Sequence, residues 1–174
     1  MKLGSKELRD YEPTQEELAQ ISRQPLYFVL DEILDTYNIG SLFRLADALA
    51  IEKVYLCGSM QFPPSSRIHK AAVGTELWTP WEKRDTALEV VLELKEKGIA
   101  TVAVEQDERS ISLPDFKPSF PLAIVLGHET TGVKKEVLDA VDTIIELPML
   151  GINKSFNVWG SGAVVAYRML EYLR

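Results

Sequence analysis

The chain has 174 residues, 46% hydrophobic and 26% charged, with 19 basic against 26 acidic residues and a net charge of −7. That is the composition of an ordinary globular chain with one core rather than a disordered one, and its acidity argues against broad, non-specific nucleic-acid binding while leaving room for a local basic patch. One cysteine, Cys57, leaves no disulfide framework and no multi-cysteine zinc site, no apolar run reaches a membrane span, and the N-terminus is not a signal peptide, so a cytoplasmic protein is expected.

Residues 1–24 are polar, and Thr14-Gln15-Glu16-Glu17 ahead of Leu18 and Ile21 has the form of a capping box, so a short amphipathic helix is predicted. Some twenty residues are too few for a second core, and the segment reads as an extension packed on the body or on a partner. Leu26 to Leu30 is a compact apolar run, the first buried strand. Asp31, Glu32 and Asp35 follow, as a hard-cation site or as a solvated loop with a cap. Ile39, Leu42, Phe43, Ala46 and Leu49 then recur at helical spacing, with Asn38 placed to cap that helix and Arg44 off its apolar stripe.

Lys53 to Cys57 is the second strand, closed by Gly58, which makes strand, helix and strand a parallel unit. A Pro/Ser loop over 61–66, a basic cluster of Arg67, His69 and Lys70, and an aromatic turn of Trp78, Pro80 and Trp81 come next. Asp85 to Lys97 reads as an amphipathic helix with Leu88, Val91 and Leu92 inward, ended by Gly98. Strands are predicted over Ile99–Val104, Leu122–Leu126 and Thr143–Glu146, a polar connection over 105–120, and helices over Lys134–Ala140 and Phe156–Leu173.

The alternation predicts an α/β fold, a parallel sheet flanked by helices. Ligands of such sheets bind beyond the carboxyl ends of the strands. Three polar stretches begin at such ends: Asn38 to Arg44, Gly127 to Gly132 and Pro148 to Asn157. Each has a bland alternative. Asn38, Gly40 and Arg44 serve equally as cap, packing residue and ion-pair partner. Gly127-His128-Glu129-Thr130-Thr131-Gly132 is neither GxGxxG nor a P-loop and serves as a plain turn. Asn157 serves as a helix cap. Cys57 reads as a small buried hydrophobe.

In this order and spacing the three stretches resemble the SPOUT methyltransferases, specifically the SpoU/TrmH group of RNA ribose 2′-O-methyltransferases. Asn38, Gly40 and Arg44 match the family's Asn-x-Gly-x-x-x-Arg. Gly127, Glu129 and Gly132 match its Gly-x-Glu-x-x-Gly. Leu147, Pro148 and Met149, then Ser155, Phe156, Asn157 and Val158, match its third segment. The resemblance covers residue 26 to the end and implies one domain over 1–174 with a deep C-terminal trefoil knot, an exception to the no-knot rule. It implies S-adenosylmethionine held around Leu126, Gly127, Leu147, Met149 and Phe156, and a homodimer through the knot that builds each site from two chains. It implies a reaction site of Arg44, Asn38, Glu129, Ser155 and Asn157, and no metal. The cations available to an RNA, tRNA before rRNA, are Arg44, Arg67, Lys70, Lys134 and Lys135, with Arg23 nearby. The departures are Thr36 for a common Pro, His128 for Ser, Asn or Pro, Phe156 for Leu, and Trp159-Gly160 for small polar residues. Other readings are a knotted RNA-binding dimer without methyl transfer, a base-methylating relative, and an unrelated α/β nucleotide-binding or hydrolase domain using Glu129 and His128.

Overall fold

The structure, a computed structural model, describes residues 4–174, so residues 1–3 of the expected extension lie outside the described residues. Seven strands form one sheet in the order β3-β2-β1-β6-β4-β7-β5, and every pairing is parallel. The central strands are β1 (Gln24–Asp31), β6 (Leu122–Gly127) and β4 (Ala100–Val104). Helices cover both faces, which is why the central strands read as unbroken apolar runs. Leu26, Phe28 and Leu30 of β1, with Leu122, Ile124 and Leu126 of β6, pack with α3 (Thr36–Ala48) and α7 (Val158–Glu171) on one face. Val29, Ala123 and Val125 point the other way, toward α5 (Ala87–Glu96) and α6 (Lys135–Ala140).

The remaining strands are β2 (Ile51–Cys57), β3 (Trp81–Arg84), β5 (Ile111–Ser112) and β7 (Thr143–Glu146). β3 and β5 are the two strands beyond the sequence reading, and they are the sheet's edges. β3 is Trp-Glu-Lys-Arg and β5 has two residues, so neither carries an apolar run. Short, charged edge strands are what keeps a sheet from pairing with other chains. The expected polar connection over 105–120 is also more than a connection, because it buries Leu113 and Phe116.

Three further expectations are corrected. Asp35, not Asn38, caps α3: its carboxylate accepts the Tyr37 N–H at 2.9 Å, and Asn38 lies a turn inside, 2% exposed. The inward face of α5 is Ala87, Val90, Val91 and Leu94, whereas Leu92 is exposed; the apolar residues outnumber one stripe, and contact with β1 and β2 selects the face. α7 starts at Val158, with Phe156 in the loop before it.

The extension forms α1 (Ser5–Arg9) and α2 (Gln15–Ala19), the second with its capping box intact. It lies against α4 (Ser66–Ala72) and the turn after it. Arg9 donates to the Lys70 carbonyl at 3.4 Å, and Tyr11 meets Trp78 edge-on at 6.4 Å. Among the described residues no helix is long and apolar enough to cross a membrane.

Candidate active site

β1 and β6 pair so that Asp31 is level with Gly127, and the site begins where these two strands end. Gly127 faces the returning backbone. A Cβ there would stand 2.3 Å from the Gly132 carbonyl carbon, so only glycine lets the turn close. His128 and Gly132 exchange both main-chain hydrogen bonds across it, and the His128 Nδ1 accepts the N–H groups of Thr130 and Thr131. His128 therefore shapes the turn. Gly132 has φ +71°, and its missing Cβ leaves room for the Glu105 carboxylate, which accepts the Val133 N–H at 2.9 Å.

The turn holds Glu129 against the start of α3. Its carboxylate accepts the N–H groups of Leu34 at 3.0 Å and Asp35 at 2.9 Å, and the side-chain amide of Asn38 at 2.9 Å. Burial pushes the Glu129 carboxyl up, but these donors outweigh it and hold it below the usual carboxylate range. The Asn38 Oδ1 in turn accepts the Asn157 Nδ2 at 3.1 Å, while the Asn157 Oδ1 caps α7 by accepting the Trp159 N–H at 3.0 Å. One end of Asn157 caps α7 and the other reaches across to Asn38. One hydrogen-bonded line thus joins all three motif stretches.

Beside that line lies a cavity of about 590 Å³. Leu126, Gly127, Leu147, Met149 and Phe156 all line it, as do Glu129, Ser155 and Asn157. Its size falls in the range of small-molecule and cofactor sites, about 300–1,000 Å³. Apolar Leu, Met and Phe side chains with strand-end backbone suit a flat heterocycle, and Glu105 and Gln106 add polar groups from the end of β4. The local sequence does not single these two out, because they open a stretch that reads as a connection. Their signal was their place, directly after a strand, on the rim that had singled out the other loops. Gln106 also donates to the Lys154 carbonyl at 2.5 Å, and the Lys154 ammonium to the Met149 carbonyl at 3.1 Å, which pins the 147–157 loop over the cavity. Ser155 N–H and Oγ–H both turn to the Asn153 Oδ1.

Arg44 stands apart. It is exposed on the outer face of α3, lines no part of this cavity and enters none of the hydrogen bonds that join Glu129, Asn38 and Asn157. Arg67 and Lys70 are exposed on α4. Lys134 is bound to Glu32 at 2.9 Å, with its backbone N–H on the buried Asp31 at 3.0 Å, and Lys135 pairs with Asp139 at 2.5 Å. Arg23 spends its guanidinium on the carbonyls of Ile51 and Trp78. Among the described residues no cluster of three or more His, Cys, Asp or Glu could hold a metal ion, and Asp31, Glu32 and Asp35 go to Lys134 and to the α3 cap. Cys57 is buried, and burial first of all pushes its thiol up to about 12, so it is inert as a nucleophile.

Residues 25–167 match the model of the SpoU rRNA Methylase family. The chain is 28% identical over 159 residues to the tRNA (guanosine(18)-2′-O)-methyltransferase of Borreliella burgdorferi, covering 91% of this chain and 72% of that one. It is 29% identical over 160 residues to the 23S rRNA (guanosine-2′-O-)-methyltransferase of Nitrosomonas europaea, covering 92% of this chain and 61% of the relative. The AdoMet-bound rRNA methyltransferase of Sinorhizobium meliloti superposes with a TM-score of 0.80 at 21% identity, over 96% of this chain and 60% of that one. At that identity the likeness is one of fold.

Proposed function

The chain belongs to the SpoU rRNA Methylase family, and on that premise we propose that it transfers a methyl group from S-adenosylmethionine to the ribose 2′-hydroxyl of an RNA nucleotide. One observation carries the reading: the hydrogen-bonded line Glu129–Asn38–Asn157 runs beside a cavity lined by all five residues expected to hold the methyl donor.

S-adenosylmethionine supplies a methyl group activated by its sulfonium charge. Leu126, Leu147, Met149 and Phe156 hold it and keep water out, so alignment and desolvation contribute most. Glu129 acts as a positioning residue, because its oxygens already serve three donors. Asn38 and Asn157 fix α3 and α7 around the reacting ribose. Arg44 pairs with the phosphate beside the target nucleotide and stabilises the developing alkoxide. A guanidinium is not a practical base, so the hydroxyl proton leaves toward the phosphate, directly or relayed through the Ser155 hydroxyl.

Arg44 is exposed and lines no part of its own chain's cavity, which supports a homodimer in which one protomer's Arg44 completes its partner's site. Leu150 and Ile152 are 97% and 101% exposed on the loop over the cavity, an apolar surface suited to that contact. A trefoil knot is supported by the chain path. After β7 the 147–157 loop is held at Lys154 by Gln106, just beyond β4, and leads into α7, which packs on α3 and β6. We take residues 1–174 as one such domain with 1–24 as its extension, acting in the cytoplasm. We take tRNA as the substrate before rRNA, supported by the larger share of the Borreliella tRNA enzyme that the chain spans. Arg44, Arg67 and Lys70 are the first phosphate contacts, with Lys134 and Lys135 following once their ion pairs open.

Incubation with tritiated methyl donor and bulk RNA, then nuclease digestion and mass spectrometry, tests this. A labelled nucleoside methylated on ribose is expected. Label on a base makes the chain a base methyltransferase, and no label with S-adenosylhomocysteine bound makes it a binding protein.

A further inference from the structure

A second cavity, of about 570 Å³, opens between the β2–α4 loop, α4 and the start of β3, and no residue lines both it and the cleft described above. Pro63, Pro64, Leu77 and Trp81 make its apolar wall, and His69 and Glu76 are among its polar members. Glu76 is 4% exposed. The His69 Nδ1 stands 2.5 Å from its Oε1, and facing a carboxylate that nitrogen carries a proton and donates it. The other oxygen, Oε2, meets no donor among the described residues. A buried acceptor without a partner bears its full desolvation cost until something donates to it. A neighbouring cavity of about 480 Å³ shares Pro64, Ser65 and Ser66 with this second one and adds Phe62 and Arg67. There the Lys83 ammonium lies 4.3 Å from the centre of the Phe62 ring. The two cavities form one groove, with acceptors and an aromatic wall at one end and cations at the other.

We propose that this groove binds a single-stranded stretch of the RNA, with an unpaired guanine in the Glu76 compartment and its phosphate toward Arg67. The inference rests on the RNA-modifying reading above and names a part of the substrate that the chain reads away from the methyl donor. Guanine is singled out by its edge. It carries two adjacent N–H donors, N1 and N2, which match the two oxygens of a carboxylate; Oε1 keeps a second lone pair after His69 has donated to it. Adenine and cytosine set a ring-nitrogen lone pair against the carboxylate, and uracil sets carbonyls on both sides of its one N–H. Unpaired bases are read on these edges against apolar and aromatic walls, here Leu77 and Trp81.

Calorimetric titration of the full chain with the pentaribonucleotides UUGUU and UUAUU tests this. UUGUU is expected to bind at least tenfold more tightly. Glu76→Gln, which turns an amide toward the guanine N–H groups, is expected to bring the two within twofold while leaving S-adenosylhomocysteine affinity unchanged. Arg67→Ala is expected to weaken both oligomers alike, by several-fold at low salt. If Glu76→Gln does not fold, a crystal of the wild-type chain grown with GMP decides. Base N1 and N2 on Glu76 support the groove, and ordered water on Oε2 with GMP absent from the cavity overturns it. Equal wild-type affinity for the two oligomers overturns it as well. Loss of the guanine preference alone, with S-adenosylhomocysteine bound, leaves the methyltransferase reading standing. Failure to bind S-adenosylhomocysteine removes that reading independently.

Discussion

Glu129 has one negative charge and three donors aimed at it, two of them the backbone N–H groups of Leu34 and Asp35. Its folded pKa is lowered, so the stabilisation is fully present above the unfolded value, about 4.3, and is lost as the pH falls through the folded one. Glu129→Gln is expected to cost about 1–2 kcal/mol at pH 7, at the low end for bonds to a charged group because the side chain is partly in water. Denaturant titration of both chains checks it, and the gap should narrow as the pH falls below the usual carboxylate range and close once the wild-type side chain is protonated in the folded state as well. Arg44 makes the opposite case. It is exposed and enters none of the bonds of the Glu129 line, so Arg44→Ala should leave folding and S-adenosylhomocysteine affinity unchanged. Methyl transfer should fall by about 10²–10³-fold, the usual loss on removing one group that stabilises developing charge. Weakened cofactor binding with normal turnover of the bound enzyme would refute its assignment.

At the scale of elements, the glycine of the first motif belongs to a helix pair. A Cβ on Gly40 would lie 2.5 Å from the Ala71 Cβ and 2.7 Å from the Ala72 nitrogen, so α3 and α4 touch through a missing side chain. Gly40→Ala would gain helix propensity, about 1 kcal/mol, but overpacking at a backbone contact costs about 1–3 kcal/mol. The clash is against backbone that cannot swing away, so net destabilisation is expected, as a Tm lowered by several degrees in a thermal melt. The helix and strand types of this region are legible in the local sequence, because the spacing of Ile39, Leu42, Phe43 and Ala46 and the run Leu26–Leu30 are local patterns. The close contact at Gly40 is not, since Ala71 is some thirty residues away. The cap of α3 is not legible locally for a related reason: Asp35 and Asn38 are both capping types, and it is the bonds to Glu129 and Asn157 that hold Asn38 inward.

For the whole molecule, the net charge of −7 is compatible with RNA because a local group of cations, Arg44, Arg67 and Lys70, stays exposed on α3 and α4, while others such as Lys135 and Arg109 are held by Asp139. The exposed apolar loop is the other global feature. Placing a charge there, as in Leu150→Asp with Ile152→Asp, should leave the melting curve of the isolated fold nearly unchanged, since neither side chain is in the core. Sedimentation should then report a monomer, and methyl transfer should be lost. A dimer that persists, or a monomer that is fully active, would dismiss the shared site.

Residue types and their local periods determined the parallel α/β class, the buried strands and the three polar stretches at strand ends, because burial on two faces and helical spacing are written in neighbouring positions. Only the tertiary structure decided that Glu129, Asn38 and Asn157 form one line, that Lys134 is tied to Asp31 and Glu32, and that Glu76 keeps an oxygen without a partner among the described residues. The first two depend on side chains roughly 90 to 120 positions apart meeting at one rim. For Glu76 it is packing that withholds a second donor. No local pattern encodes which of several equivalent polar groups the packing will bring within hydrogen-bond reach.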